Sequence, residues 1–461
     1  MVIPPGRTYR VVSTDLGHLR NVRFIVLGVL ELHDDLHAWP KWRGRDAGLF
    51  FYRCINVTVT GGGVGVIDGR GFAWWEAAVW KAMTRTKGWM DVRPNVVDVV
   101  NSTDFIIERI TLRNAPAFHV RTKNSLRQTV RHVTVHVDTH RQAALRRMWG
   151  ETVPGGLVTA PSAGSLATRA WRWLMNEAAG RSRPPSRLTP AIAIAAAHEA
   201  GDIFGDLPWM FPLNTDGIDV EGRDIHIHDC EIDNFDDAIA VKPSHGGPDA
   251  SPDNPLLAAC TENVIVEDIR VVNGVGMSIG SVSPSDEMNC VRNVTFRRVN
   301  FTHPFKAIYV KTETSNAHDS PRSSAVIENV LYEHIRVESP RWFPVYVGPQ
   351  QMLHITDSSG GLCMADPMAC VTEPRVRITN LTLRDVVING GLAPSVLLCD
   401  ARAPCEGVTL DRVSRTGWPR EGHDWLGRKV GGYLCHNVHG MERDSEPPAR
   451  CISSGANITR T

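Results

Sequence analysis

Apolar and polar residues alternate in short runs along most of the chain, and the runs come in pairs separated by Gly or Asn. Stretches such as "DFIIERITL" and "DIHIHDCEI" put Phe, Ile or Leu at nearly every second position. That is the period of an extended strand, whose successive side chains point to opposite faces, and not the longer period of a helix. The same order of strand, turn, strand and short connection recurs in "CINVTVTGGGVGVIDG", "STDFIIERITLRNAPAFHVRT", "GRDIHIHDCEIDNFDDAIAVKP", "TENVIVEDIRVVNGVGMSIGS", "MNCVRNVTFRRVNFTHPFKAIYVKT", "SAVIENVLYEHIRVESPRWFPVYVG" and "PRVRITNLTLRDVVINGGLAPSVLL". Units of this size cannot bury a face alone and must stack on their neighbours. The pattern predicts an all-β fold, a single-stranded right-handed parallel β-helix, running as one solenoid domain over residues 1–461.

Aligning the units by their last strand predicts an inward ladder of apolar pairs: Phe118/Val120, Ile218/Val220, Ile239/Val241, Met277/Ile279, Ile308/Val310 and Val345/Val347. Two positions before the first apolar residue stand Asp216, Asp237, Val275 and Lys306 on successive turns. Strands in adjacent turns lie about 4.8 Å apart, so Asp216 and Asp237 should be neighbours on one outer face, with Asp236 at the bend. One stretch breaks the pattern. From about 141 to 212 the chain turns to Arg, Ala, Pro and Ser, as in "ATRAWRWLMNEAAGRSRPPSR". It reads as an insertion, partly helical or disordered, either a plain loop or a lid over the cleft.

Composition changes this picture little. Lys plus Arg and Asp plus Glu number 50 each, which gives no overall field to attract nucleic acid or an anionic membrane, so neither is expected as a partner. Ten cysteines include the close pairs Cys363 with Cys370, Cys399 with Cys405 and Cys435 with Cys451, but no CxxC spacing, so loop-closing disulfides are expected rather than a zinc cluster. N-x-S/T tripeptides at Asn56, Asn101, Asn293, Asn300, Asn380 and Asn457 point the same way, to a secreted protein. The opening "MVIPPGRTYRVV" lacks the basic, apolar and small-residue order of a signal peptide, and no apolar run is long enough to cross a bilayer.

The candidate chemistry lies in "NTDGID" and "DDAIAVK". Like charges within a few ångströms raise at least one pKa, so one carboxyl keeps its proton while another stays ionised. Glycoside hydrolysis uses that split: one carboxylic acid protonates the leaving oxygen and a second carboxylate activates water, at about 6.5–9.5 Å in inverting enzymes. Neighbouring turns of the solenoid should supply that gap. The bland alternatives are turn-forming Asp residues and a calcium site.

In this order, "NTDGID", "DDAIAVK", "GVGMSIGSV" and "AIYVKT" resemble the four signature blocks of the polygalacturonase-type glycoside hydrolases, glycoside hydrolase family 28. The upstream stretches "IPPGRTY", "VTVTGGGVGVIDGRGFAWW" and "RPNVVDVVNSTDFIIERITLRNAPAFHV" are similar to that family's early turns. The resemblance implies a secreted, pectin-degrading, inverting β-helix enzyme without metal or cofactor, acting as a monomer on pectic polysaccharide. It implies Asp236 as general acid, Asp216 and Asp237 as the pair that activates water, Lys311 and Tyr309 as sugar-orienting groups, and Asn214 as support for the acids.

The chain departs from the family pattern twice. The third block usually reads Gly-His-Gly and here has Val275 between Gly274 and Gly276; the fourth usually carries Arg where Tyr309 stands. Tyr309 can stack on a sugar but offers no fork for a carboxylate. A rhamnogalacturonan or otherwise substituted galacturonan thus becomes a reasonable substrate, beside polygalacturonate. Two rivals remain: a polysaccharide lyase, and a catalytically weak carbohydrate-binding β-helix protein. His226 and His228 read as surface residues with no third metal ligand nearby, Trp74 and Trp75 as an end cap more than a sugar platform, and Ser278 and Ser281 as residues without a triad.

Overall fold

The alternating runs close into a right-handed parallel β-helix, here seen in a computed structural model. The structure describes residues 2–39, 47–83, 93–138, 214–244, 260–286, 289–313, 322–351, 370–391, 393–417 and 432–452. The chain divides into two units, Met1–Val137 with Leu213–Gln350 and Thr372–Thr461, and Asp138–Pro212 with Gln351–Val371. The fold given below is that of the first unit. The insertion expected at 141–212 lies outside the described residues, as do Cys363 and Asn457.

Two ladders carry the solenoid. A long-strand sheet runs from Arg20–Val26 through Thr103–Arg113, Gly222–Asn234, Cys260–Asn273, Asn289–Thr302 and Ala325–Glu338 to Val438–Arg443. A short-strand sheet runs from Thr14–Gly17 through Val120–Lys123, Ile218–Val220, Ile239–Val241, Met277–Val282, Ile308–Thr312 and Val345–Gln350 to Tyr433–His436. Every pairing between these strands is parallel, so each residue type meets the same inward or outward position one turn on. The interior is a stack of Val, Ile, Leu and Phe, all but sealed from solvent. Within it Phe296 and Tyr332 occupy the same column of consecutive turns and stack with ring centroids 4.7 Å apart. That spacing matches the rung repeat.

Most of the inward ladder falls as expected. Ile218 pairs Ile239, Ile239 pairs Met277, Met277 pairs Ile308 and Ile308 pairs Val345. One rung is corrected: Val120, not Phe118, pairs with Ile218, which moves Phe118 into the column of Asp216 and leaves it partly exposed. The connection "APAFHV" departs from simple alternation at His119, which is fully buried and bonded to Ala115 N–H and the Asp216 carbonyl.

Corners repeat as strictly as strands. Asn21, Asn56, Asp224, Asn263, Asn293, Asn329 and Asn380 all adopt the left-handed conformation, where Asn is tolerated because its short amide can bond locally. Their amides link turn to turn: Asn56 donates to Asn21 at 2.7 Å, Asn263 to Asp224 at 2.9 Å, Asn329 to Asn293 at 3.2 Å and Asn380 to Asn329 at 3.0 Å. Outward charges of the long sheet pair across rungs as well, for example Arg297 with Glu267 and Arg412 with Asp385. A surface pair of this kind contributes little on its own.

Of the expected disulfides, Cys399–Cys405 and Cys435–Cys451 are present. A third, Cys260–Cys290, joins register partners of adjacent rungs. Trp74 and Trp75 sit on a helix, Phe72–Met83, not on a strand. Trp75 is fully buried with its indole N–H donating to the Ala115 carbonyl at 3.0 Å, and Trp74 packs edge-on against Trp39, so neither offers a face to a sugar.

Phe296→Ala removes one member of the stacked pair in a column that the next rung cannot refill. It should cost about 3–5 kcal/mol, read as a lower urea midpoint, whereas Asn300→Ala on the exposed face should change stability by less than about 0.5 kcal/mol.

Candidate active site

The outer face of the short-strand sheet gathers the carboxylates. Gly217 N–H donates to the Asp237 carbonyl and Val275 N–H to the Asp236 carbonyl, which locks the "NTDG", "DD" and "GVG" loops into one register. As a result Asp216, Asp236 and Asp237 each place a carboxylate oxygen within 4.8 Å of the others. Asp216 and Asp237 stand in one column and so meet at about the rung repeat, while Asp236 joins them from the bend.

Buried Asn234 clamps the two acidic loops. Its amide donates to the carbonyls of Thr215 at 3.0 Å, Asp236 at 3.0 Å and Asp237 at 2.8 Å. Gly274 must be Gly: its φ is +70°, and a Cβ there would stand 2.5 Å from the Asn234 amide oxygen. His119 holds Asp216 from the other side. Its Nε2 accepts from the Ala115 N–H at 3.3 Å, so Nδ1 carries the proton and donates to the Asp216 carbonyl at 2.9 Å.

The three carboxyls are not equivalent. Asp237 accepts from Ser278 Oγ at 2.6 Å and from the Lys311 ammonium at 2.5 Å, with Lys242 at 3.8 Å. Burial alone pushes its pKa up, but Lys311 and Lys242 outweigh that and hold it below the ordinary 3.8. Asp236 is partly exposed to the groove, and burial with the neighbouring Asp237 charge raises its pKa. Its oxygens accept the backbone N–H of Asn214 at 2.7 Å and of Asp237 at 2.9 Å, which oppose the rise without cancelling it. Asp216 lies deeper; burial, then the charges of Asp219, Asp236 and Asp237, raise it well above 3.8. Its Oδ1 makes no hydrogen bond among the described residues.

The remaining expected residues fall around this cluster. Asn214 accepts from the Arg93 guanidinium at 2.7 Å through its side chain while its backbone serves Asp236. Tyr309 is buried beside Tyr346 on the same outward column as Ser278. Lys311 is committed to Asp237. Ser281 donates to Glu313, and His226 and His228 lie on the long sheet, against Glu267 and Asp229. Sequence reasoning missed Arg93, His119, Asp219, Asn234 and Lys242. The signal for Asp219 was present: it stands between the inward Ile218 and Val220 and so faces outward, where Lys242 pairs with it at 3.3 Å and burial raises its pKa to about 6.

Fold and site together define a class: a parallel β-helix whose outer groove gathers carboxyls pushed in opposite directions, Asp216 and Asp236 toward holding a proton and Asp237 toward losing it. The comparisons give the family. The chain belongs to the glycosyl hydrolases family 28, whose model matches residues 30–143 and 190–423. It is 25% identical over 229 residues to rhamnogalacturonase A of Aspergillus aculeatus, covering 49% of this chain and 41% of that relative. It is 21% identical over 377 residues to a polygalacturonase of Chamaecyparis obtusa, covering 81% of this chain and 52% of the relative, so the chain spans about half the length of the curated relatives it matches. The crystal structure of an endo-xylogalacturonan hydrolase from Aspergillus tubingensis shares the fold, with a TM-score of 0.56 at 18% identity, covering 98% of this chain and 91% of that one.

Burial lowers His119 to about 4 from its ordinary 6.5, so between those values the unfolded chain binds a proton that the native protein refuses. Stability is therefore complete above 6.5 and declines as pH falls toward 4, by about 3 kcal/mol from this group. His119→Asn, which keeps an N–H donor, should flatten the curve of Tm against pH in that window relative to the wild type, as followed by calorimetry.

Proposed function

We propose that the protein is an inverting glycoside hydrolase that cleaves galacturonate-containing pectic polysaccharide outside the cell. One observation carries the reading: adjacent Asp236 and Asp237 are driven in opposite directions, one toward the protonated and one toward the ionised form, in a single groove. That is the division of labour a general acid and a general base require. Asp236, the member open to the groove, donates its proton to the glycosidic oxygen as the bond to the anomeric carbon breaks. Water attacks that carbon from the opposite face and gives its proton to the Asp216/Asp237 pair. Asn214 and Arg93 support the acid, while Lys311 keeps Asp237 ionised.

Inversion rests on the family membership. The product anomer is the measurement that decides between inversion and a covalent intermediate. A divalent cation among the three acids competes with the charge that Lys311 and Lys242 already supply at Asp237, so the donor set favours acid–base work over metal binding. Disulfides fit an extracellular protein. Among the described residues no helix is long and apolar enough to cross a membrane.

Polygalacturonate, rhamnogalacturonan and xylogalacturonan should be compared with product anomers followed by NMR; the first-formed product should be the inverted anomer, and a retained one overturns the mechanism. Asp236→Asn should lower kcat by roughly 100- to 10,000-fold with KM nearly unchanged. Activity should be lost as pH falls through the depressed Asp237 value and again as pH rises through the raised Asp236 value. Lys311→Met removes the strongest opposition to the burial effect on Asp237 and should move the acidic limb of kcat/KM upward by about one pH unit or more, with the alkaline limb less affected.

A further inference from the structure

Lys306 is an unused cation beside the acids. It stands two positions before the inward Ile308, in the column that carries Asp216, Asp237 and Val275 on the preceding turns. The residue is 4% exposed, and the side-chain groups seen around its ammonium are not carboxylates. What surrounds it is aromatic: the ammonium lies 3.9 Å from the Tyr309 ring centroid, 4.4 Å from that of Tyr346 and 5.5 Å from that of Phe305. Lys311 lies on the same Tyr309 ring at 4.8 Å, but its charge is already matched by Asp237.

An ammonium carries three donors and is costly to bury without acceptors. Ring faces compensate only part of that cost, since a cation–π contact supplies attraction but no hydrogen-bond acceptor of ordinary strength. Burial, with Lys311 nearby, lowers its pKa to about 7, while Asp237 and Asp236 pull the other way. An anion entering the groove would supply the acceptors that the rings do not. Position 309, three residues on, is where the family resemblance places an arginine and this chain has Tyr, so the groove lacks a cation there and holds one three residues earlier.

We propose that Lys306 binds a uronate carboxylate of the substrate chain, with the Tyr309 and Tyr346 rings flanking its ammonium, in place of the cation absent at 309. The assignment deepens the proposed hydrolase reading and rests on it. The carboxylate accepts the ammonium's hydrogen bonds, and Tyr309, which cannot form a bidentate fork, serves as the platform that fixes where the ammonium lies.

The test pairs a short galacturonate oligosaccharide with the same oligosaccharide fully methyl-esterified, using the full chain as wild type, Lys306→Met, Lys306→Gln and Lys306→Arg. Turnover and calorimetric binding are both measured. Wild type should prefer the free acid, and the two uncharged variants should weaken binding and raise KM for it by roughly 10- to 100-fold while changing the ester by less than about 3-fold. Lys306→Arg should recover part of the preference. An equal loss on acid and ester, or no loss on the acid, overturns the assignment and marks Lys306 as a packing residue. Binding of the acid that depends on Lys306 without any turnover leaves the assignment standing and removes the hydrolase reading instead. Wild type that neither binds nor cleaves the acid overturns both.

Discussion

Everything in this protein depends on the repeat distance of parallel strands. Because each turn of the solenoid returns the chain to the same register, a residue placed at an outward position is met about 4.8 Å away by its counterpart on the next turn. In the interior that constraint is satisfied by Val, Ile and stacked rings such as Phe296 on Tyr332. On the outer face of the short sheet the same constraint forces Asp216 and Asp237 together, where no isolated loop would hold them.

Holding carboxyls at that distance is unfavourable unless their charges differ, and the groove resolves the conflict by position. Lys311, Lys242 and Ser278 converge on Asp237 and leave Asp236 and Asp216 to the effects of burial and like charge. The backbone does the rest through Asn234 and His119, neither of which faces the groove as a reactive group. Charge asymmetry and rigidity thus come from different residues.

Much of this was legible in the chain. Period-two alternation fixed the fold class and the inward pairs from Ile218 onward, and the two acidic corners fell into one column by alignment alone. Phe118 was placed two residues out of register because "APAFHV" contains the buried His119, and alternation cannot tell a buried neutral imidazole from a surface one. Lys242 and Arg93 were missed for a different reason. Their ammonium and guanidinium groups reach the cluster by the length and direction of their side chains, which no spacing rule encodes. The Cys260–Cys290 bridge joins positions thirty residues apart that only the rung register brings face to face.

The asparagine column has a bearing on how such chains are read for glycans. An Asn at a left-handed corner of this column is followed by an inward Val or Leu and then by an outward residue, and when that residue is Thr the result is a sequon, as at Asn56, Asn293 and Asn380. The tripeptide there is a by-product of corner geometry, and the amide nitrogen that an oligosaccharide would occupy at Asn56 and Asn380 already serves as a rivet between coils. Counting acceptor motifs in laddered solenoids therefore measures how the backbone turns as much as how the surface is decorated.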